Sequence, residues 1–536
     1  MCEQERFSRN KRATGEAPVD AIRFCLEAAC VSLSEVMAIG LGYDMELLDR
    51  WHGLTVEELA KREHLNGHER LFPKAVFEYD SLPPIIPIPH HLAHAASAFW
   101  VSGFEEAAIL VVDNRGEDSS TTLAYGTRKG IRDLEQYGVP VSLGLYYRTA
   151  SQYAGLCGEL REVGKFMGLA AYGKPTEDVP LRCSEEGPWF ADLDELPPLR
   201  GIEIPPYRTT QLLNYFRSRC FPFYKGDGAE VMAYANFAAS VQLSLERALL
   251  TLCAKLKRQT ASRNLVMAGG VALNCTANGI IADSGIFENL FVQPAAGDAG
   301  VALGAAMEVT RQVTKSPPPA FKMTHAYWGP QYTQAEIERA LEHCGLDYCV
   351  LDEHTLIQEV AELLIDYKTV GWFQGRSEIG PRALGARSLL GNPMSRETLI
   401  RLNTIKAREM WRPLAPSVLQ SRMSEFFTGT HASPFMIVAL QVRPEKRKDI
   451  PAVVHVDGSA RPQAVNRETN PLFWKLISAF ERRTGIPMIV NTSFNTQGEP
   501  LVNSPEDAIK DYLKTDLDAL VLGYALLQKN HPSQRG

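Results

Sequence analysis

The chain has 536 residues, of which 45% are hydrophobic and 22% charged, and a net charge of -7. That length predicts roughly two to four domains, and the composition excludes a disordered or collagen-like chain. The acid excess excludes the broad basic surface of a general nucleic-acid binder and leaves room for a local anion pocket. Ten cysteines are present, at Cys2, Cys25, Cys30, Cys157, Cys183, Cys220, Cys253, Cys275, Cys344 and Cys349. With no CxxC pair among them they read as reduced, mostly buried thiols rather than zinc ligands. The first residues, Met1 to Arg6, lack the apolar stretch of a signal peptide. No uninterrupted apolar run reaches the roughly eighteen residues of a spanning helix. A cytoplasmic protein without membrane partners is expected.

In chain order, residues 21–30 carry apolar side chains at helical spacing, and 37–41 read as a short buried strand. Residues 77–79 and 85–88 are extended and proline-rich, 107–112 (AAILVV) form a central strand, and 121–125 its hairpin partner. A long helix is predicted over 229–257, then strands at 265–267 and 290–292 and a helix over 300–309. Such a succession is α/β. Lys315-Ser316-Pro317-Pro318-Pro319-Ala320 is the best linker candidate. Beyond it come a helix over 356–367, a strand over 369–373, an arginine- and glycine-dense stretch, and strands at 488–490 and 520–522. Two domains are predicted, 1–325 and 340–536, with the boundary between 312 and 345.

In the first domain the sharpest feature is His90-His91-Leu92-Ala93-His94. At the start of a helix, His90 and His94 share one face a turn apart, where both imidazoles reach one metal. A pair of surface or capping histidines is the plainer alternative. Asp113 follows the central strand, and Asp298, in Gly297-Asp298-Ala299-Gly300, lies in a second strand-to-helix loop. Alone, each is as good a helix cap as a ligand. Two imidazoles and two carboxylates together suit Fe(II), Mn(II) or Zn(II). Gly269-Gly270-Val271-Ala272-Leu273-Asn274 and the Gly164-Lys165 segment have the small residues and the lysine that suit a phosphate. Tight helix–strand packing explains such glycines equally well.

In the second domain, Arg376, Arg382, Arg387, Arg396, Arg401, Lys406, Arg408 and Arg412 crowd one window in which Glu378, Glu397 and Glu409 are the acids. The cation excess predicts a pocket for phosphates held by arginine forks. Asn491-Thr492-Ser493-Phe494-Asn495, just after the predicted strand 488–490, offers amides and a hydroxyl to a small polar substrate. A polar turn is the alternative.

These blocks, with Asp113-Asn114-Arg115-Gly116-Glu117, Gly375 to Gly385, Arg412-Pro413-Leu414-Ala415-Pro416 and His455 to Arg461, recur in order along nearly the whole chain. In that order the chain resembles the O-carbamoyltransferases of nodulation-factor and antibiotic biosynthesis. The resemblance implies an actin-like ATPase-fold first domain, similar to the catalytic subunit of tRNA threonylcarbamoylation. It implies a YrdC-like second domain, similar to threonylcarbamoyl-adenylate synthase, whose KxR and SxN signatures would be Lys406-Ala407-Arg408 and Ser493-Phe494-Asn495.

By that resemblance the second domain joins carbamoyl phosphate to ATP, giving carbamoyl-adenylate with release of phosphate and pyrophosphate. Arg382, Lys406, Arg408 and Arg461 would offset the charge of the two polyanions, Asn491, Ser493 and Asn495 would orient the carbamoyl group, and Mg(II) would accompany ATP. The first domain would transfer the carbamoyl group to a hydroxyl at a metal site of His90, His94, Asp113 and Asp298, with iron the implied metal. Lys165, Gly269, Gly270 and Asn274 would hold the adenylate there, Lys11 would contact its phosphate, and close domain contact would limit hydrolysis.

One departure stands out. The chain begins at Glu3-Gln4-Glu5-Arg6-Phe7-Ser8-Arg9-Asn10-Lys11, inside what is the second strand of a first hairpin in the family. The hairpin's histidine, a candidate base for the acceptor hydroxyl, is absent from the sequence, which leaves that role without a residue. Two rival readings are a tRNA threonylcarbamoylation enzyme and a nucleotide-binding actin-like regulator without turnover. The acidic charge disfavours tRNA, and the intact KxR and SxN sets disfavour the regulator. Macrolactam, polyketide, aminoglycoside and cephem hydroxyls all remain open as acceptors, with the segments 143–161 and 188–224 expected to shape their pocket. A homodimer is the default assembly.

Overall fold

The computed structural model describes residues 1–45, 68–156, 163–193, 204–219, 228–429 and 433–529. Cys157, Cys220 and parts of the segments expected to bound the acceptor pocket lie outside these residues. The chain divides into two compact units after Met323. One comprises Ala17–Met323, and the other Thr324–Gly536 together with Met1–Glu16.

The N-terminal unit is built on five strands, β1 Glu106–Val112, β2 Ser119–Thr127, β3 Gly130–Gly138, β4 Asn264–Ala268 and β5 Asn289–Val292, in the order β3-β2-β1-β4-β5. β1, β2 and β3 pair antiparallel, whereas β1, β4 and β5 run parallel. The apolar run of β1 is buried between α1 His90–Ser102 and α3 Ala235–Thr260, with α2 Gly164–Ala170, α4 Cys275–Asp283 and α5 Val301–Thr314 completing the helices that matter for the site. α1 is alanine-rich and buried along nearly its whole length, so its neighbour can come very close. A Cβ at Gly304 of α5 would stand 1.7 Å from the Ala93 carbonyl oxygen, so only glycine permits this approach. α3 lies in a stretch long and apolar enough to cross a membrane, and 67% of its most apolar window is buried inside the unit.

The C-terminal unit carries an eight-stranded mixed sheet. Its strands are β6 Cys349–Val350, β7 Val370–Phe373, β8 Arg387–Gly391, β9 Ala415–Leu419, β10 Gln463–Val465, β11 Met488–Ser493, β12 Ala519–Leu522 and β13 Ala525–Gln528. Their order is β6-β13-β12-β7-β8-β11-β9-β10. α6 Glu353–Ile365, α7 Arg396–Ile405, α8 Pro471–Thr484 and α9 Pro505–Lys514 flank it. Both units are α/β, as the element pattern predicts.

Several expectations change. The segment read as a family strand at the start is one helical turn, Glu5–Ser8, and belongs to the C-terminal unit rather than to the first domain. Side chains hold it there: Arg6 donates to the Gly380 carbonyl at 2.7 Å, Glu3 accepts from the Gly380 N–H, and Arg9 pairs with Asp507 at 3.3 Å. Residues 491–493, expected to follow a strand, continue β11, because they pair with β8 on one side and, at Asn491, with β9 on the other. The closing hairpin β12–β13 was not predicted. Of the eight described cysteines, only Cys253 and Cys275 are buried.

Candidate functional site

In the N-terminal unit three separate elements bring four side chains together. His90 and His94 occupy the first turns of α1, Asp113 follows the last residue of β1, and Asp298 opens the turn that leads into α5. One ligand-type atom from each lies within 4.8 Å of all the others. His90 Nε2 and His94 Nε2 are 3.2 Å apart, His90 Nε2 stands 3.6 Å from Asp113 and 3.7 Å from Asp298, and His94 Nε2 is 3.8 Å from Asp298. The histidines and Asp113 are buried, whereas Asp298 is exposed and forms the open side.

Surrounding groups aim these ligands. The Gly42 carbonyl accepts from His90 Nδ1–H at 3.0 Å, which leaves Nε2 for the cluster. Asp113 Oδ1 accepts from the Gly270 N–H at 2.7 Å, which turns Oδ2 towards His90. Glu117 accepts from the His90 N–H at 2.9 Å and fixes the start of the helix. Burial opposes a charge on His90, but the carboxylates of Asp113 and Asp298 outweigh it and raise its pKa to about 10. His90 and His94 lower Asp298 well below the usual carboxylate range, and His90 lowers Asp113 against the effect of burial. His91 stands apart: Thr122 bonds its Nδ1 at 2.8 Å, and burial pushes its pKa down to about 3. Two converging imidazoles and two ionised carboxylates fit a divalent transition metal, with His90, His94, Asp113 and Asp298 as its ligands.

In the C-terminal unit, Lys406 ends α7 with its ammonium buried against the end of β11. Its Nζ donates to Ser493 Oγ at 3.1 Å, Asn495 Oδ1 at 2.8 Å and the Asn495 carbonyl at 2.9 Å, and also to the Ser493 carbonyl. Burial lowers its pKa well below the usual lysine value, and the nearby charges of Arg408 and Arg412 lower it further. A cation under such pressure is suited to receive an anion.

Family models of the carbamoyltransferase N-terminus and C-terminus match residues 1–307 and 361–529. The chain belongs to the carbamoyltransferase family. It is 36% identical over 557 residues to the nodulation protein NolNO of Sinorhizobium fredii, an alignment covering 99% of this chain and 77% of the relative. It is 31% identical over 384 residues to the 3'-hydroxymethylcephem-O-carbamoyltransferase of Amycolatopsis lactamdurans, covering 69% and 65%. Among solved structures, full-length HypF in its phosphate- and nucleotide-bound form aligns with a TM-score of 0.26 at 14% identity, over 50% of each chain. The protein is therefore an enzyme that transfers carbamoyl groups.

The other predicted residues of this carbamoyltransferase fall as follows. Gly269 and Gly270 turn out of β4 beside Asp113, and a Cβ at Gly269 would meet the Val112 carbonyl at 2.2 Å. Asn274 caps α4 and is held by Gln242, which also bonds Tyr147 and Glu246. Lys165 is half-buried on α2. Lys11, expected beside the first-domain site, sits in the C-terminal unit, where its charge adds to those depressing Lys406. Arg382 and Arg461 are half-buried, and Arg408 Nε donates to Asn403. Asn491 is wholly buried and bonds Ser417, Gln463 and the Ala383 carbonyl.

Not every cation of the dense window serves a ligand. Arg387 is buried, donates to the carbonyls of Gln374, Ala386, Pro330 and Gly375, and stacks 3.6 Å from the Phe373 ring centre. Arg401 pairs with Asp518 at 2.7 Å. Sequence reading gave Glu117 a place in a block but no role, and missed Gly42 and Gln463, which act only through the residues they hold and carry no motif of their own.

Proposed function

We propose that this carbamoyltransferase works in two steps, at an adenylate-forming site in the C-terminal unit and a metal site in the N-terminal unit. On this reading the units are YrdC-like and actin-like respectively. Carbamoyl phosphate, ATP and water give carbamoyl-adenylate, phosphate and pyrophosphate. Water cleaves the carbamoyl phosphate, and a carbamate oxygen then displaces pyrophosphate from the α-phosphorus of ATP. Lys406, Arg408, Arg382 and Arg461, joined by Lys11, offset the charge of the reactants. Asn491, Ser493 and Asn495 orient the carbamoyl group, and Mg(II) accompanies ATP.

An acceptor hydroxyl then attacks the carbamoyl carbonyl in the N-terminal unit, and AMP leaves. His90, His94, Asp113 and Asp298 would hold a divalent ion, Fe(II) by family resemblance, which would supply Lewis-acid polarisation. Gly270 and Gly42 aim Asp113 and His90, and Lys165, Gly269, Gly270 and Asn274 are proposed to hold the adenylate. The acceptor class is a natural-product hydroxyl, in line with the activity named for the cephem relative, and the setting is cytoplasmic.

The observation that carries this reading is the convergence of four ligand atoms within 4.8 Å in a chain matched by both carbamoyltransferase models. Pyrophosphate release from carbamoyl phosphate and ATP tests the first step. Release is expected with carbamoyl phosphate and not with threonine plus bicarbonate, and the reverse result would favour the tRNA-modifying reading.

A further inference from the structure

Asn491 is held by a relay whose polarity is fixed at both ends by backbone carbonyls. A carbonyl can only accept, so Gln463 must turn Nε2 towards the Leu384 oxygen, 2.7 Å away. Its Oε1 is thereby turned to accept from the Ser417 hydroxyl at 2.6 Å and from Asn491 Nδ2 at 3.1 Å. Asn491 Nδ2 also donates to Ser417 Oγ at 2.8 Å and to the Ala383 carbonyl at 3.2 Å. Every constraint faces the nitrogen. The oxygen, Asn491 Oδ1, is buried without a hydrogen-bond partner, and the residue is fully buried.

A buried acceptor without a donor is costly and calls for a partner. Asn491 and Ser493 are two apart on β11 and so share a face of the sheet, the face on which Lys406 Nζ meets Ser493 Oγ at 3.1 Å. Asn491 also bonds the Ala383 carbonyl, next in the chain to Arg382, and Gln463, two residues beyond Arg461. The open acceptor thus lies on the strand face that also carries Ser493 and its contact with Lys406.

We propose that Gln463, with Ser417, is a positioning residue that presents Asn491 Oδ1 to the NH2 of an acyl phosphate, so that the site selects carbamoyl phosphate over acetyl phosphate. This rests on the adenylate-forming reading above. Acetyl phosphate has the same shape but a methyl group where the amide nitrogen stands, so it donates nothing to Oδ1. A site built to bond a substrate NH strongly rejects the analogue that lacks it. With the relay broken, the amide of Asn491 turns freely and the preference weakens.

The test is pyrophosphate release with ATP and each acyl phosphate in turn, scored as the ratio of the two kcat/KM values. A ratio within one preparation does not depend on the fraction folded, so it survives partial loss of stability. The full-length protein is expected to favour carbamoyl phosphate. Gln463→Leu and, independently, Ser417→Ala are expected to lower the ratio, Gln463→Leu by about tenfold or more, chiefly through KM for carbamoyl phosphate. A merely structural role would depress both substrates together, and an unmoved ratio in both variants overturns the proposal. So does an unmutated protein that uses both acyl phosphates equally. No pyrophosphate from the unmutated protein with either substrate would instead defeat the adenylate-forming reading itself.

Discussion

Asp113 and Gly270 are bonded across the ends of two parallel strands, Oδ1 to N–H at 2.7 Å, while the other Asp113 oxygen stands 3.6 Å from His90 Nε2. One carboxylate therefore ties a glycine loop to the cluster of His90, His94 and Asp298. Asp113→Asn keeps an acceptor for Gly270 but loses the charge. It is expected to weaken divalent-ion binding at least about tenfold with little change in melting temperature. Asp113→Ala is expected to lose the ion and also the tie, and to melt lower. Metal content after dialysis and thermal unfolding measure the two effects, and an Asn variant that binds the ion as before would contradict the assignment.

Lys406 should take up a proton when its ligand binds. Burial, then Arg408 and Arg412, depress its pKa in the free protein, and a phosphate dianion placed beside it raises that pKa again. Calorimetric titration with carbamoyl phosphate in buffers of different ionisation enthalpy should show net proton uptake on binding that grows as pH rises. Lys406→Met should abolish the uptake. A binding enthalpy independent of buffer would refute it.

Burial, with the adjacent charge of Glu499, raises the Asp511 pKa from its ordinary 3.8 to about 7. The sign follows directly: the folded state holds this proton more tightly than the unfolded chain. The resulting stabilisation is complete below about pH 4 and is lost as pH rises through about 7. Asp511→Asn should flatten the fall in melting temperature from about pH 5 to about pH 8. Parallel profiles for the variant and the unmutated protein would show that the proton sits elsewhere.

Glu378 organises the loop that carries Arg382. Its Oε1 accepts from the N–H groups of Leu384, Ala386 and Arg387 at 2.7, 2.9 and 3.1 Å, fully buried from solvent. Removing the shared acceptor strands buried donors, so Glu378→Ala should cost about 3 kcal/mol or more in denaturant unfolding. A cost near zero would mean the loop is held by other contacts.

The legible parts of this chain were those where local pattern and chemistry coincide. The AAILVV run gave β1, and two histidines at helical spacing gave the face of α1 on which His90 and His94 stand. Register was less legible. Asn491 reads as lying just beyond its strand because the neighbours that extend it, β8 and β9, lie far away in sequence. Arg387 counts in the sequence towards the cation excess of its window although it is buried among carbonyls, since charge density carries no direction. The β12–β13 hairpin was open to detection, because Gly523 and Tyr524 separate two apolar runs as a two-residue turn does. The relay through Gln463 and Ser417 had no such signal, for it exists only once three strands are paired.

The division of labour between the two sites is tested most directly by His94→Ala, assayed for both half-reactions on one preparation. His94 is wholly buried, and its Nε2 lies 3.2 Å from that of His90, so its loss opens the cluster without touching Lys406 or Ser493. The expected result is a loss of bound divalent ion and of carbamoyl transfer to a hydroxyl acceptor, with pyrophosphate release from carbamoyl phosphate and ATP persisting. Loss of both half-reactions in a folded variant, or transfer that continues without the ion, would contradict the account.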